Sequence, residues 1–183
     1  MSGHNKWSQI RRQKEKTDGQ KSKTFSKYAK LIAVEAKKAS GNRESPGLKA
    51  IIERAKAENM PNDNIERAIK KATDNSAVLE AIMYESYGPS GCAMIIEALT
   101  DNRNKAAQEI KFILSKYGFS LAGMGAASWA FEREVAHSAG SGQVNWKPTT
   151  TVPLEEADIE LLGKLVADLE DNDEVQEVFT NAE

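Results

Sequence analysis

Apolar positions recur at helical spacing through the first third of the chain and change to short strand-like runs after it. Between residues 22 and 39, Phe25, Tyr28, Ala29, Ile32, Ala36 and Ala39 fall at i, i+3, i+4, i+7, i+11 and i+14, which is one face of a helix. Gly41 supplies the stop. Ser45-Pro46 predicts the next start, with Ser as N-cap and Pro in the first turn, and Leu48, Ile51, Ile52 and Ala55 continue at the same spacing. A third helix is expected from about residues 61–63, carrying Ile65, Ala68, Ile69 and Ala72. None of the three can bury its stripe alone, so residues 22–75 are expected to pack as a helical domain.

The pattern changes near residue 79. "LEAIMYESYGPSGCAMIIEALT" reads as two strands around the turn Gly88-Pro89-Ser90-Gly91, a β-hairpin. "DNRNKAAQEIKFILSKYG" follows as a helix with Ala106, Ile110, Ile113, Leu114 and Tyr117 on its apolar stripe. "SLAGMGAASWAFERE" predicts a short strand, a glycine-rich turn and another strand. "AHSAGSGQ" reads as a link of small residues; an acidic amphipathic helix, "PLEEADIELLGKLVADLEDND", and a last strand, "EVQEVFTN", close the chain. The expected fold is α+β: a three-helix domain, then an α/β sandwich (76–183) with about four antiparallel or mixed strands and two helices on one face. Residues 134–152 are expected to be a short linker.

Charge divides the chain along the same line. The net charge of −2 conceals 18 Lys+Arg against 9 Asp+Glu in residues 1–75, and 7 against 18 in residues 76–183. Within residues 1–40 the balance is 11 against 3. A basic block of this kind predicts a polyanionic partner, which the acidic whole-chain pI of about 5.9 would not.

Much of that charge is patterned. On a helical projection Lys27, Lys30, Lys37 and Lys38 lie within roughly 60° of Lys23, opposite the apolar stripe. Val34 falls on the lysine side, and Glu35 is the only acid of the predicted segment. Five like charges on one face repel unless something compensates them. Upstream, residues 1–21 have no hydrophobic period and read as a basic arm bearing Lys6, Arg11, Arg12, Lys14, Lys16 and Lys21. Such an arm suits ordering along a phosphate backbone. Trp7 within it has two readings, stacking on an unpaired base or pinning the arm to the helical domain. His4 has no partner at ligand spacing and is a candidate donor or stacking group near phosphate.

Signs of catalysis are lacking. The sequence has no Cys/His cluster with zinc spacing, no GxxxxGK[ST] loop and no GxSxG. "GMGAAS" leads into a strand rather than a helix, so it is not a dinucleotide loop. Glu85 and Glu97, on neighbouring strands, are read as exposed polar positions. Cys92 sits in an apolar run and is read as a buried, inert thiol. The expectation is a non-enzyme without cofactor or metal. No secretory signal or membrane-length apolar run is evident, which makes the expected location cytoplasmic, and a monomer is favoured.

The motifs "SGHNKWSQIRRQK", "KSKTFSKYAK", "NMPNDNIERAIKKA", "YESYGPSGCAMIIEALTDNRN", "SLAGMGAASWAF" and "LEDNDEVQEVFTN" resemble, in order, those of the YebC/PmpR family. That resemblance implies a helical first domain followed by α/β domains. It also implies a regulator of gene expression. The family has carried the label of DNA-binding transcriptional regulator, its mitochondrial relatives activate translation of cytochrome c oxidase subunit I, and bacterial members look like ribosome-associated factors assisting proline-rich nascent chains. The implied partners are the ribosome and rRNA or tRNA, or DNA in the alternative, without a membrane. The implied contacts are His4, Lys6, Trp7, Arg11, Arg12, Lys14, Lys21, Lys23, Lys27 and Lys30. Tyr87, Gly88, Pro89 and Gly91, with Asp101, Asn102, Arg103 and Asn104, also match family motifs, and both structural and functional roles are open for them. Family members usually carry a further small α/β domain where this chain has residues 134–152, so the chain resembles a shortened, two-domain member. "AGSG" there is compatible with a natural or an artificial deletion.

Overall fold

The computed structural model describes residues 18–74, 78–135 and 144–183. Three helices open it: α1 (Asp18–Lys38), α2 (Pro46–Ala57) and α3 (Asn62–Thr73). The first starts four residues ahead of the apolar pattern, which places Lys21 on a helix rather than in the arm. It stops where Ser40 and Gly41 both take positive φ (50° and 78°) and the Gly41 amide reaches back to the Ala36 carbonyl at 2.8 Å. Pro46 takes the first turn of α2 as expected, but the Ser45 side chain makes no capping hydrogen bond. Asn59 at φ 64° closes α2, and the Met60 amide bonds the Ala55 carbonyl. Ile32, Ala36, Leu48, Ile51, Ala55, Ile65 and Ile69 meet in one buried core, edged by Phe25, Tyr28 and Ile52. Each of the larger side chains contributes about 1.5–3 kcal/mol through burial.

The second unit is built on a four-stranded antiparallel sheet. Its strands are β1 (Glu80–Tyr87), β2 (Ala93–Thr100), the two-residue β3 (Leu121–Ala122) and β6 (Val175–Thr180). They lie in the order β3-β1-β2-β6. Helices α4 (Arg103–Lys116) and α5 (Glu156–Asp171) cover one face. Met94, Ile96 and Ala98 of β2 pack there with Ile110, Leu114, Leu162, Leu165 and Leu169.

The two helices lie on one face as expected; the opposite face is covered as well. Strands β4 (Phe131–Val135) and β5 (Val144–Pro148) form a separate two-stranded sheet. Phe131, Ala130, Ala127 and Trp146 pack on Ala93, Ile95 and Phe179. Residues 144–148, read as linker, are therefore a strand whose partly buried Trp146 packs against that cluster. Covering both faces explains why β2 is apolar almost throughout instead of alternating.

Candidate nucleic-acid interface

Helix α1 is the element that carries the predicted lysine row. At 1.5 Å per residue its 21 residues span about 31 Å, and Lys23 to Lys38 about 22 Å. Its apolar back faces the helical core, with Ile32 and Ala36 fully buried. Fixing the back fixes the front: Lys23, Lys27, Lys30, Lys37 and Lys38 share the side turned from that core. Lys37 and Lys38 are exposed, whereas Lys23, Lys27 and Lys30 are half-buried, their stems lying against protein.

The row is not a set of bare like charges. Lys38 pairs with Glu35 at 2.7 Å, and Lys21, Lys23, Lys27, Lys30 and Lys37 each have interactions of their own. Lys21 is exposed in the first turn, but its rotation about the axis puts it on the apolar side, away from the row. His4, Lys6, Trp7, Arg11, Arg12 and Lys14 lie outside the described residues. Elsewhere in the helical unit, Arg43 is paired with Glu66, and the Arg54 guanidinium lies 6.0 Å from the centre of the Tyr28 ring.

The hairpin and "DNRN" motifs have clear local roles. Gly88 is required by space: a Cβ there would stand 2.9 Å from both Cys92 Sγ and Met94 Sδ. Gly91 is required by its φ of +72°, since nothing crowds it. Pro89 is buried, and Ser90 donates to Asp158 at 2.6 Å. Asn102 caps α4, its side-chain oxygen accepting from the Lys105 amide at 3.1 Å, and the Arg103 carbonyl accepts from the Tyr84 hydroxyl. Arg103 also pairs with Glu80 at 3.5 Å, while Asp101 and Asn104 are exposed. Burial pushes the Cys92 thiol above its ordinary value, in keeping with an inert cysteine.

Glu85 and Glu97 are expected from sequence at exposed positions, and neither is so placed. The register sets Glu85 opposite Ile95 and Glu97 opposite Met83, so the two share the face covered by β4 and β5 without standing opposite each other. Glu85 is 3% exposed. It accepts from the backbone amides of Gly125, Ala127 and Ser128 at 2.7, 2.6 and 2.8 Å. Burial alone would raise its carboxyl, but those three amides, helped by the Ser128 hydroxyl, hold it below the ordinary value. Glu97 is raised, chiefly by burial, although the Trp146 indole donates to it at 2.9 Å. Sequence reasoning missed these roles. The signal available was the alternation of Met83, Glu85 and Tyr87 on one face beside a glycine-rich turn.

Among the described residues no group of three His, Cys, Asp or Glu side chains is placed to hold a metal, and no helix is long and apolar enough to cross a membrane.

Comparison with known proteins adds to this geometry. Residues 5–75 match the family described as TACO1/YebC protein N-terminal domain, and residues 79–142 and 136–182 match TACO1/YebC second and third domain. A probable transcriptional regulatory protein of Thermosipho africanus is 38% identical over 237 aligned residues, covering 100% of this chain and 94% of that protein. A protein of the same description from Thermotoga maritima is 37% identical over 238, covering 100% and 94%. The crystal structure of a conserved hypothetical protein from Aquifex aeolicus superposes with a TM-score of 0.79 at 31% identity, covering 91% of each chain.

Proposed function

The chain belongs to the TACO1/YebC family, and on that premise we propose that it regulates gene expression by binding nucleic acid, without catalytic chemistry of its own. The finer reading is a factor that works on the ribosome through rRNA or tRNA and assists proline-rich nascent chains. One observation carries the nucleic-acid part: the lysine row of α1, set on the side opposite a buried apolar back. The names of the Thermosipho and Thermotoga relatives support the broader role in gene expression.

Chemistry favours RNA in a sequence-tolerant mode. Lysine ammonium groups meet phosphates well, whereas base edges are read by bidentate Arg, Asn or Gln. The described row holds lysines only. The basic arm, with His4, Lys6, Trp7, Arg11, Arg12 and Lys14, extends the same charge and would order along the sugar-phosphate chain. A second reading, a regulator that binds duplex DNA, takes its support from the relatives' names. We also read the chain as a two-domain form of the family. Its alignment with the Thermosipho protein runs over 237 residues against a chain of 183, and the second-and-third-domain family matches twice, over 79–142 and 136–182, the two matches overlapping at 136–142.

Gradient sedimentation of cell extract at two salt concentrations tests the proposal. Co-migration with ribosomal particles at low salt and its loss at high salt is the expected result. If five to eight cations contact phosphates, the log–log salt slope is about −4 to −7. A shift of specific duplex DNA that survives competitor, with no ribosomal co-migration, would replace the first reading by the second.

A further inference from the structure

The helical unit has a second side that the lysine row does not use. Helix α2 ends at Ala57 and α3 starts at Asn62, so four residues, Glu58 to Pro61, join them. Within that turn Asn59 takes a φ of 64°, a left-handed conformation for which Gly and Asn are the usual choices. The buried residues around it fall in a definite order. A small one, Ala55, lies one turn before Asn59, Met60 follows it directly, and Ile65 and Ala68 lie on the inner side of α3. All four belong to one core. A helix, a short turn with one left-handed residue, and a second helix packed into the same core make up the helix-turn-helix arrangement.

The inner side of α3 fixes what its outer side presents. Ile65, Ala68, Ile69 and Ala72 are buried. At roughly 100° per residue, Asp63, Arg67 and Lys70 lie opposite them, with Glu66 and Lys71 at the flanks, and all five are exposed. Glu66 is held by Arg43. The Arg67 guanidinium donates to the Asn64 side-chain oxygen, one turn back along the helix, at 3.3 Å. Asn62, also exposed, opens the first turn. This is not the chemistry of the α1 row. An ammonium answers a phosphate wherever it lies. A guanidinium fork pairs with the edge of guanine, an Asn amide with adenine, and a carboxylate with the amino group of cytosine. Arg67, Asn62 and Asp63 supply all three kinds within the N-terminal half of α3, the part of a second helix that meets base edges.

We infer that residues 46–73 form a helix-turn-helix whose α3 enters the major groove of duplex DNA. Arg67, Asp63 and Asn62 meet base edges, while Lys70, Lys71 and the exposed Lys49 at the start of α2 meet phosphates. A-form RNA keeps its major groove too deep and narrow for side chains to read, so the arrangement selects DNA. The inference rests on the second reading above, binding to duplex DNA, and supplies the base contacts that a row of lysines does not provide. The row grips phosphates without reading sequence; α3 reads.

Selection by the full chain from a pool of DNA duplexes, each with a randomised stretch of about 20 base pairs or two helical turns, tests it. The wild type is expected to enrich a short motif. Arg67→Lys is expected to keep binding duplex but to lose the preference at one position, with affinity for the wild-type motif falling about tenfold. Lys70→Ala, and Lys27→Ala in the row, should weaken all duplexes alike and leave the motif intact. Arg67 and Lys70 are exposed, so helical circular dichroism should not change. If Arg67→Lys loses helicity, Asp63→Ala decides, by loss of preference at a position of its own. A motif that both Arg67→Lys and Asp63→Ala leave intact overturns the inference while the DNA reading stands, and so does duplex binding with no motif enriched. Binding of ribosomal RNA with no DNA duplex bound overturns both. An RNA duplex that competes as well as the selected DNA overturns entry into the major groove.

Discussion

In the helical unit, five lysines lie along one side of α1, opposite a dry apolar back. In the α/β unit two carboxylates, Glu85 and Glu174, are buried, and several others have fixed partners. Glu85 closes on three amides, Glu97 on an indole, and Glu174 on Lys105 at 3.2 Å. Asp168 accepts from Tyr117 at 2.8 Å and Lys116 at 2.9 Å. The side chains themselves explain the contrast. A carboxylate is short and accepts backbone N–H groups, so it can organise a turn from inside. An ammonium on four methylenes donates only and keeps its head near water or anions. Part of the formal charge of the acidic unit is thus committed to holding its own turns, whereas five lysines of α1 lie along one side of a single helix.

The largest effect should come from inverting the α1 row. Lys23→Glu/Lys27→Glu/Lys30→Glu is expected to weaken oligonucleotide binding about 1000-fold at low salt, since each phosphate contact contributes close to one unit of log–log salt slope. Helical circular dichroism should persist, because the core lies on the other side. Unchanged affinity would reduce the row to a solvated face and erase the functional half of the contrast.

Next in size is the inward carboxylate. Glu85→Ala strands three backbone donors at a position 3% exposed, and the expected loss is about 3 kcal/mol in urea unfolding. Nucleic-acid affinity should not move. A loss below about 1 kcal/mol, the value of an ordinary hydrogen bond, would mean that water replaces the carboxylate and that the turn is not organised from within.

The hairpin turn sharpens the comparison further, because its two outer glycines serve different ends. Gly88→Ala drives a methyl into Cys92 and Met94, both fully buried, and should cost about 2 kcal/mol by overpacking. Gly91→Ala meets open space but must hold a φ of +72°, which costs about 1 kcal/mol. Thermal melts of the two variants should rank accordingly. Equal losses would imply that backbone strain alone governs the turn.

Legibility from sequence followed the range of the forces involved. The stripe of α1, with Phe25, Tyr28, Ile32 and Ala36, is a local pattern and gave the helix, its buried side and the lysine row together. The hairpin was equally local, being written in Gly88-Pro89-Ser90-Gly91. What failed was non-local. Alternation places Glu85 on one face of β1 but says nothing about whether that face is covered, and its cover comes from residues 123–130 and from strand β5. Strand β5 itself offers one large apolar residue, Trp146, after a run of small ones, too little to show a period of two. The same gap hid Met124 and Trp129 as exposed side chains, because exposure depends on which side of an anchored turn faces solvent.

The smallest effect separates two carboxylates on a single sheet face by the sign of their pH dependence. Glu85 titrates below the ordinary value near 4.5. In that range the unfolded chain binds the proton more readily, so the stability Glu85 contributes is fully present above about 4.5 and is lost as pH falls through its folded value. Glu97 is raised, mainly by burial and further by Glu177, against the opposing Trp146 hydrogen bond and Arg133. Here the folded chain holds the proton more tightly, so stability falls as pH rises from 4.5 through the folded value. Urea midpoints of the wild type relative to Glu85→Gln should therefore drop on the acid side of 4.5, and those relative to Glu97→Gln on the alkaline side. Two curves sloping the same way would show that burial, not the trio of amides, dominates at Glu85, and the turn it anchors would have to be held by the packing of Ala127 and Ala130 alone.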